Sequence, residues 1–74
     1  MSTLTLDVRG QSCPIPIVRA AQAIAGLSSG DTLEMLATDR GALSDVPAWC
    51  RTTGHELVEK EELDGEFRFL VRKS

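Results

Sequence analysis

The sequence predicts a two-layer α/β sandwich, a mixed four-stranded sheet with two helices on one face, in the order β-α-β-α-β-β. Three observations predict it. Leu4, Leu6 and Val8 alternate with Thr5 and Asp7, and Leu33, Met35 and Ala37 recur at every second position, the period of half-buried strands. Two segments, Ile17-Val18-Ala21-Ile24-Ala25 and Leu43-Val46-Trp49-Cys50-Thr53, instead place their members at helical spacing. Near the C-terminus, Asp64-Gly65 separates two further strand-like runs, the mark of a tight hairpin.

Each element follows in order. The first strand runs from Leu4 to Val8, and Gly10 permits a sharp turn after it. A helix is expected from about Pro14 to Ala25, with Arg19 and Gln22 off its apolar stripe. Ser28-Ser29-Gly30-Asp31 reads as a loop, and the second strand ends near Thr38. The second helix covers Ala42 to Thr53, with Gly54 as its C-terminal stop. Pro47 is awkward there: either the first turn is irregular, or the regular helix begins near Asp45 with Ser44 as its cap. His55 to Glu62 forms a third strand, and the fourth carries Phe67, Phe69 and Val71 on one face. Right-handed crossovers make the first three strands parallel, and the closing hairpin adds an antiparallel one.

The chemistry points to Cys13-Pro14-Ile15-Pro16. Proline is tolerated in the first turn of a helix, where amides have no intrahelical acceptor. With Pro14 as the first helical residue, Cys13 is the N-cap, and the Ile15 amide is the natural donor to its sulfur because Pro16 has none. The positive end of the helix dipole then also favours the thiolate, the reactive form of cysteine. On this reading Cys13 is a surface nucleophile of lowered pKa, supported by Gly10, Pro14, Ile15 and Pro16.

Size and charge bound the alternatives. The chain has 74 residues, read as a single domain over 1–74, and a domain this small buries only about 60% of the surface its unfolded chain exposes. No apolar run approaches the ~20 residues that cross a bilayer, and no leader pattern opens the chain, so a soluble cytoplasmic protein is expected. Cys13 and Cys50 lie 37 positions apart (50 − 13), with no zinc-ligand or C-x-x-C spacing, so no metal is expected. The net charge of −3 argues against coating nucleic acid. Six acids crowd Glu56 to Glu66 against Lys60 alone, which reads as a solvated hairpin, whereas Arg9 and Arg19 are the only charges from Val8 through Gly30. The thiol is thus expected in a mildly positive neighbourhood.

The chain resembles the TusA/SirA family of small sulfur-carrier proteins. The resemblance rests on Leu6-Asp7, Gly10, Cys13-Pro14-Ile15-Pro16, Gly30, Ala37-Thr38-Asp39, Asp45-Val46-Pro47, Trp49-Cys50, Gly54-His55-Glu56-Leu57 and Phe69-Leu70-Val71-Arg72-Lys73, in order over nearly the whole chain. Arg40 departs from it, standing where the family commonly has proline after the aspartate. The resemblance implies that Cys13 carries sulfane sulfur as a persulfide, received from a cysteine desulfurase or rhodanese-like protein and passed to a further carrier, with no metal or organic cofactor. It implies destinations in tRNA thiolation, molybdenum-cofactor assembly or sulfur oxidation.

The residues fit that chemistry independently. Sulfur transfer resembles thiol–disulfide exchange, which asks for access and a good leaving thiolate rather than an acid–base team. A chain this small has little room for a deep pocket, so the substrate should arrive on another protein. Arg9, Arg19 and Arg40 are the docking candidates, and a monomer is the default. Cys50 is read as a packing residue, His55 as the start of a strand, and Asp39 and Asp45 as turn and helix-start residues. Two rival functions are an RNA-binding module stacking bases on Phe67 and Phe69, and a redox regulator pairing Cys13 with Cys50.

Overall fold

The computed structural model describes residues 2–74. Its elements follow the predicted order: β1 Thr3–Val8, α1 Ile15–Ala25, β2 Thr32–Ala37, α2 Ala42–Thr53, β3 Glu56–Leu63 and β4 Glu66–Arg72. The strands form one sheet in the spatial order β1-β2-β4-β3. β1 and β2 are parallel, and β4 is antiparallel to both β2 and β3, so the first three strands run the same way. The last strand is therefore an interior one. Its inward residues Phe67, Phe69 and Val71 are buried opposite Ala37, Met35 and Leu33. Burying each of these aromatic rings contributes roughly 1.5–3 kcal/mol.

Both helices pack on the same face, since Ala20 and Ile24 of α1 and Val46 and Cys50 of α2 join those strand residues in one core cluster. The buried line of α1 is Pro16, Ala20 and Ile24, which corrects the expected stripe. Val18 and Ile15 are instead exposed, at 46% and 45%, and share the outward face three residues apart. Small Ala20, fully buried against the sheet, is what lets this face lie close to it.

α2 starts at Ala42 despite Pro47. Gly41 is its N-cap, and Ser44 bonds back to the Gly41 carbonyl (3.2 Å) rather than capping the helix. At the other end Gly54 takes φ 84°, the left-handed stop that the sequence suggested. Asp64 (φ 53°) and Gly65 (φ 80°) make a two-residue turn between the paired Leu63 and Glu66. One register shift, between Leu57 and Glu59, bulges β3 at Val58. It turns Leu57 toward the core while Glu59 and Glu61 stay on the outer face.

Candidate thiol site

The loops that leave β1 and β2 lie side by side, because the two strands are parallel neighbours in register from Thr3↔Thr32 to Val8↔Ala37. Three hydrogen bonds stitch these loops together. The Gly10 amide donates to Thr38 Oγ1 (2.8 Å), the Cys13 amide to Asp39 Oδ2 (3.1 Å), and the Cys13 thiol to Asp45 Oδ2 (2.8 Å). Gly10 has φ 82° with open space where a Cβ would stand, so its need for glycine is conformational, as expected. Cys13 is exposed at the ends of the parallel strands, the position where open α/β sheets place their sites.

The local geometry corrects the capping argument. The helix begins at Ile15, with Pro14 at the N-cap position and no side-chain cap. The Ile15 amide donates to the Ser12 carbonyl (2.9 Å), closing a turn around Cys13-Pro14, whose peptide bond is cis. It is therefore not available to the sulfur. Pro16, at the second helical position, is buried and anchors the start of α1 in the core.

The electrostatics are also the reverse of the expected ones. The hydrogen bond to Asp45 pushes the Cys13 thiol above its ordinary pKa, and loss of solvent and the charges of Asp45 and Asp39 push the same way. Arg9, expected to lend positive charge, is spent on Asp7 (2.8 Å) and Glu66 (3.5 Å). Arg40 lies 3.9 Å from Glu62, and Arg19 is exposed on α1 without an ion pair among the described residues. None of the three arginines contacts the thiol among the described residues.

Asp39, Gly41 and Asp45 are the site residues that sequence reasoning missed. A Cβ on Gly41 would stand 2.9 Å from Asp39 Oδ2 and 3.6 Å from Asp45 Oδ2, so glycine makes room for both carboxylates. A signal was present: two acids flank a glycine around the start of a predicted helix. It is equally the composition of a turn and helix start, so composition alone does not single it out as a site. Asp45 also lies in the first turn of α2, where a negative charge is favoured.

Cys50 is buried at 4% exposure, and desolvation raises its pKa. Both cysteines are free, one exposed and one in the core, which opposes a Cys13–Cys50 pair. His55 precedes β3, packs against Trp49 with ring centroids 5.4 Å apart, and accepts from the Ser74 amide (3.2 Å). Phe67 and Phe69 are buried and present no face for bases. Among the described residues no group of three metal-ligating side chains occurs, and no helix is long and apolar enough to cross a membrane.

Comparison with known proteins bears on this site. Residues 4–73 match the family described as Sulfurtransferase TusA. A protein of Neisseria meningitidis serogroup A is 50% identical over 97% of each chain. The sulfur carrier protein TusA of Allochromatium vinosum is 45% identical, over 93% of this chain and 91% of its own. The crystal structure of a SirA-like protein from Desulfitobacterium hafniense superposes with a TM-score of 0.81 at 28% identity, covering 97% of this chain and 96% of that one.

Proposed function

Because the chain belongs to the TusA sulfurtransferase family, we propose that it is a sulfur carrier: Cys13 accepts sulfane sulfur as a persulfide and relays it to an acceptor protein. The observation that carries this reading is the exposed Cys13 thiol, presented at the loop end of the sheet by the Asp39 bond to its own backbone amide. A nucleophile held this way has its main chain fixed at an exposed position.

The residues suit exchange between proteins. The sulfur of Cys13 attacks the terminal sulfur of a donor persulfide, the donor's S–S bond breaks, and the donor's thiolate leaves. A cysteine desulfurase or a rhodanese-like protein is the donor class we infer, with a second carrier as acceptor. The chemistry asks for no metal or organic cofactor, since the sulfur travels covalently. Exposed Ile15 and Val18 on the helix that follows the thiol supply apolar surface for such partners, and Arg19 on the same helix is a candidate contact. Transfer of this kind takes place in the cytoplasm and serves thiolation of tRNA, molybdenum-cofactor assembly or sulfur oxidation.

Incubation with a cysteine desulfurase and cysteine, followed by intact-mass measurement, tests the reading. The chain should gain one sulfur atom, Cys13→Ser should gain none, and Cys50→Ser should load normally. Sulfur retained by Cys13→Ser would sink it.

A further inference from the structure

Every loading event replaces the hydrogen on Cys13 Sγ with a sulfur atom, so a proton must leave Sγ on the way. The only acceptor hydrogen-bonded to that thiol among the described residues is Asp45 Oδ2, at 2.8 Å. Asp45 does not spend its charge elsewhere, since no ion pair to it or to Asp39 occurs among the described residues. Gly41, without a side chain, keeps the space around both carboxylates open.

We propose that Asp45 is a catalytic residue of sulfur loading: its carboxylate aims the Cys13 thiol, takes its proton as the donor's sulfur arrives, and returns that proton to the departing donor thiolate. The proposal rests on the sulfur-carrier reading. The step balances without another reactant. The Sγ–H bond breaks, a bond forms between Sγ and the donor's terminal sulfur, and the donor's S–S bond breaks with its electron pair passing to the inner sulfur. That sulfur takes the proton from Asp45. The products are a Cys13 persulfide, a donor thiol and an unchanged carboxylate.

Two considerations favour this over a free thiolate. A thiol with a carboxylate against it is held protonated near neutral pH, as the raised pKa of Cys13 reflects. Thiolate nucleophilicity falls as thiol pKa falls, but less steeply than the thiolate fraction rises, so a thiol of raised pKa attacks well near neutral pH only if a base takes its proton as it attacks. The charged groups that bear on Sγ are Asp45 from α2 and Asp39 from the β2–α2 loop. Arg9, on the β1–α1 loop, is held by Asp7 and Glu66.

The test compares two reactions of the same sulfur. Asp45→Asn keeps the shape of the side chain and removes the base. Alkylation by iodoacetamide, whose iodide leaves without a proton, should shift its pH midpoint down, because a negative charge beside the thiolate has gone. Loading from glutathione persulfide at neutral pH should slow by about tenfold or more, the low end of what a positioned base supplies. Opposite signs are the signature. An unmoved alkylation midpoint, or loading that quickens together with alkylation, overturns the role. In the natural chain, loading should fall less steeply with pH than alkylation between pH 6 and 8 (about the range where a free thiol is mostly protonated), and identical profiles would overturn it without any variant. Failure of the natural chain to load at all would instead sink the sulfur-carrier reading, while the alkylation shift in Asp45→Asn would remain.

Discussion

On the outer face of the sheet Arg68 stands among Glu34, Glu59 and Glu61, and Arg72 is paired with Glu56, whereas at the thiol end Asp39 and Asp45 meet a backbone amide and a thiol. Acids are frequent in both places. On the outer face they are matched by arginines across the β2–β4 and β4–β3 pairings, and Thr5 adds a hydroxyl to Glu34 (2.9 Å). Glu34 is accordingly held below the usual carboxylate range by Arg68. The thiol end spends its carboxylates on one cysteine. An acidic cluster is defined by what answers it: arginine makes a fastening for strands, and a thiol makes a site where a proton can move.

The largest effect is expected at Gly41. In Gly41→Ala the new Cβ would stand 2.9 Å from Asp39 Oδ2, so that carboxylate must turn away from the Cys13 amide. Hydrogen exchange at that amide should speed up by about tenfold, the equivalent of one hydrogen bond to a charged acceptor, and sulfur loading should slow with it. Unchanged exchange would mean that Asp39 holds nothing. Next comes Arg68→Ala, which unfastens three glutamates in one step. Because these pairs are part-exposed, chemical denaturation should show a loss of only about 1 kcal/mol. The alkylation profile of Cys13 should not move, and a shift there would show that the two clusters are coupled.

The smallest effect is expected at Asp7. Arg9 holds its carboxyl down at about 2, from an ordinary 3.8. A depressed acid adds stability that is complete above pH 3.8 and is lost as the pH falls toward 2, because the unfolded chain takes up the proton first. In Arg9→Ala, Asp7 should titrate near its ordinary value by NMR, and that part of the acid-side slope should disappear. Cys13 should again be unaffected, since Arg9 does not reach it.

Much of the architecture was legible in local pattern. Alternation at Leu4-Leu6-Val8 and Phe67-Phe69-Val71, the Asp64-Gly65 turn and the Gly54 stop each mark an element whose cause lies within a few residues. Where the pattern was ambiguous, packing decided. The apolar residues of α1 span more than one face, and the sheet accepted the line of Pro16, Ala20 and Ile24, leaving Val18 to solvent. The bulge at Val58 was hidden because acids crowd both faces of β3 beyond Leu57.

Local pattern thus accounts for the order of elements, the hairpin that closes the sheet and the placing of a cysteine at the start of α1, all consequences of period and of proline and glycine geometry. Long-range packing is what sets β4 between β2 and β3 and brings the thiol to Asp45 rather than to its own helix amides. Asp39 and Asp45 are 26 and 32 residues from Cys13 along the chain. Periodicity reports which way a side chain faces, but the parallel register of β1 and β2 sets which loops end side by side, and hence what surrounds the sulfur.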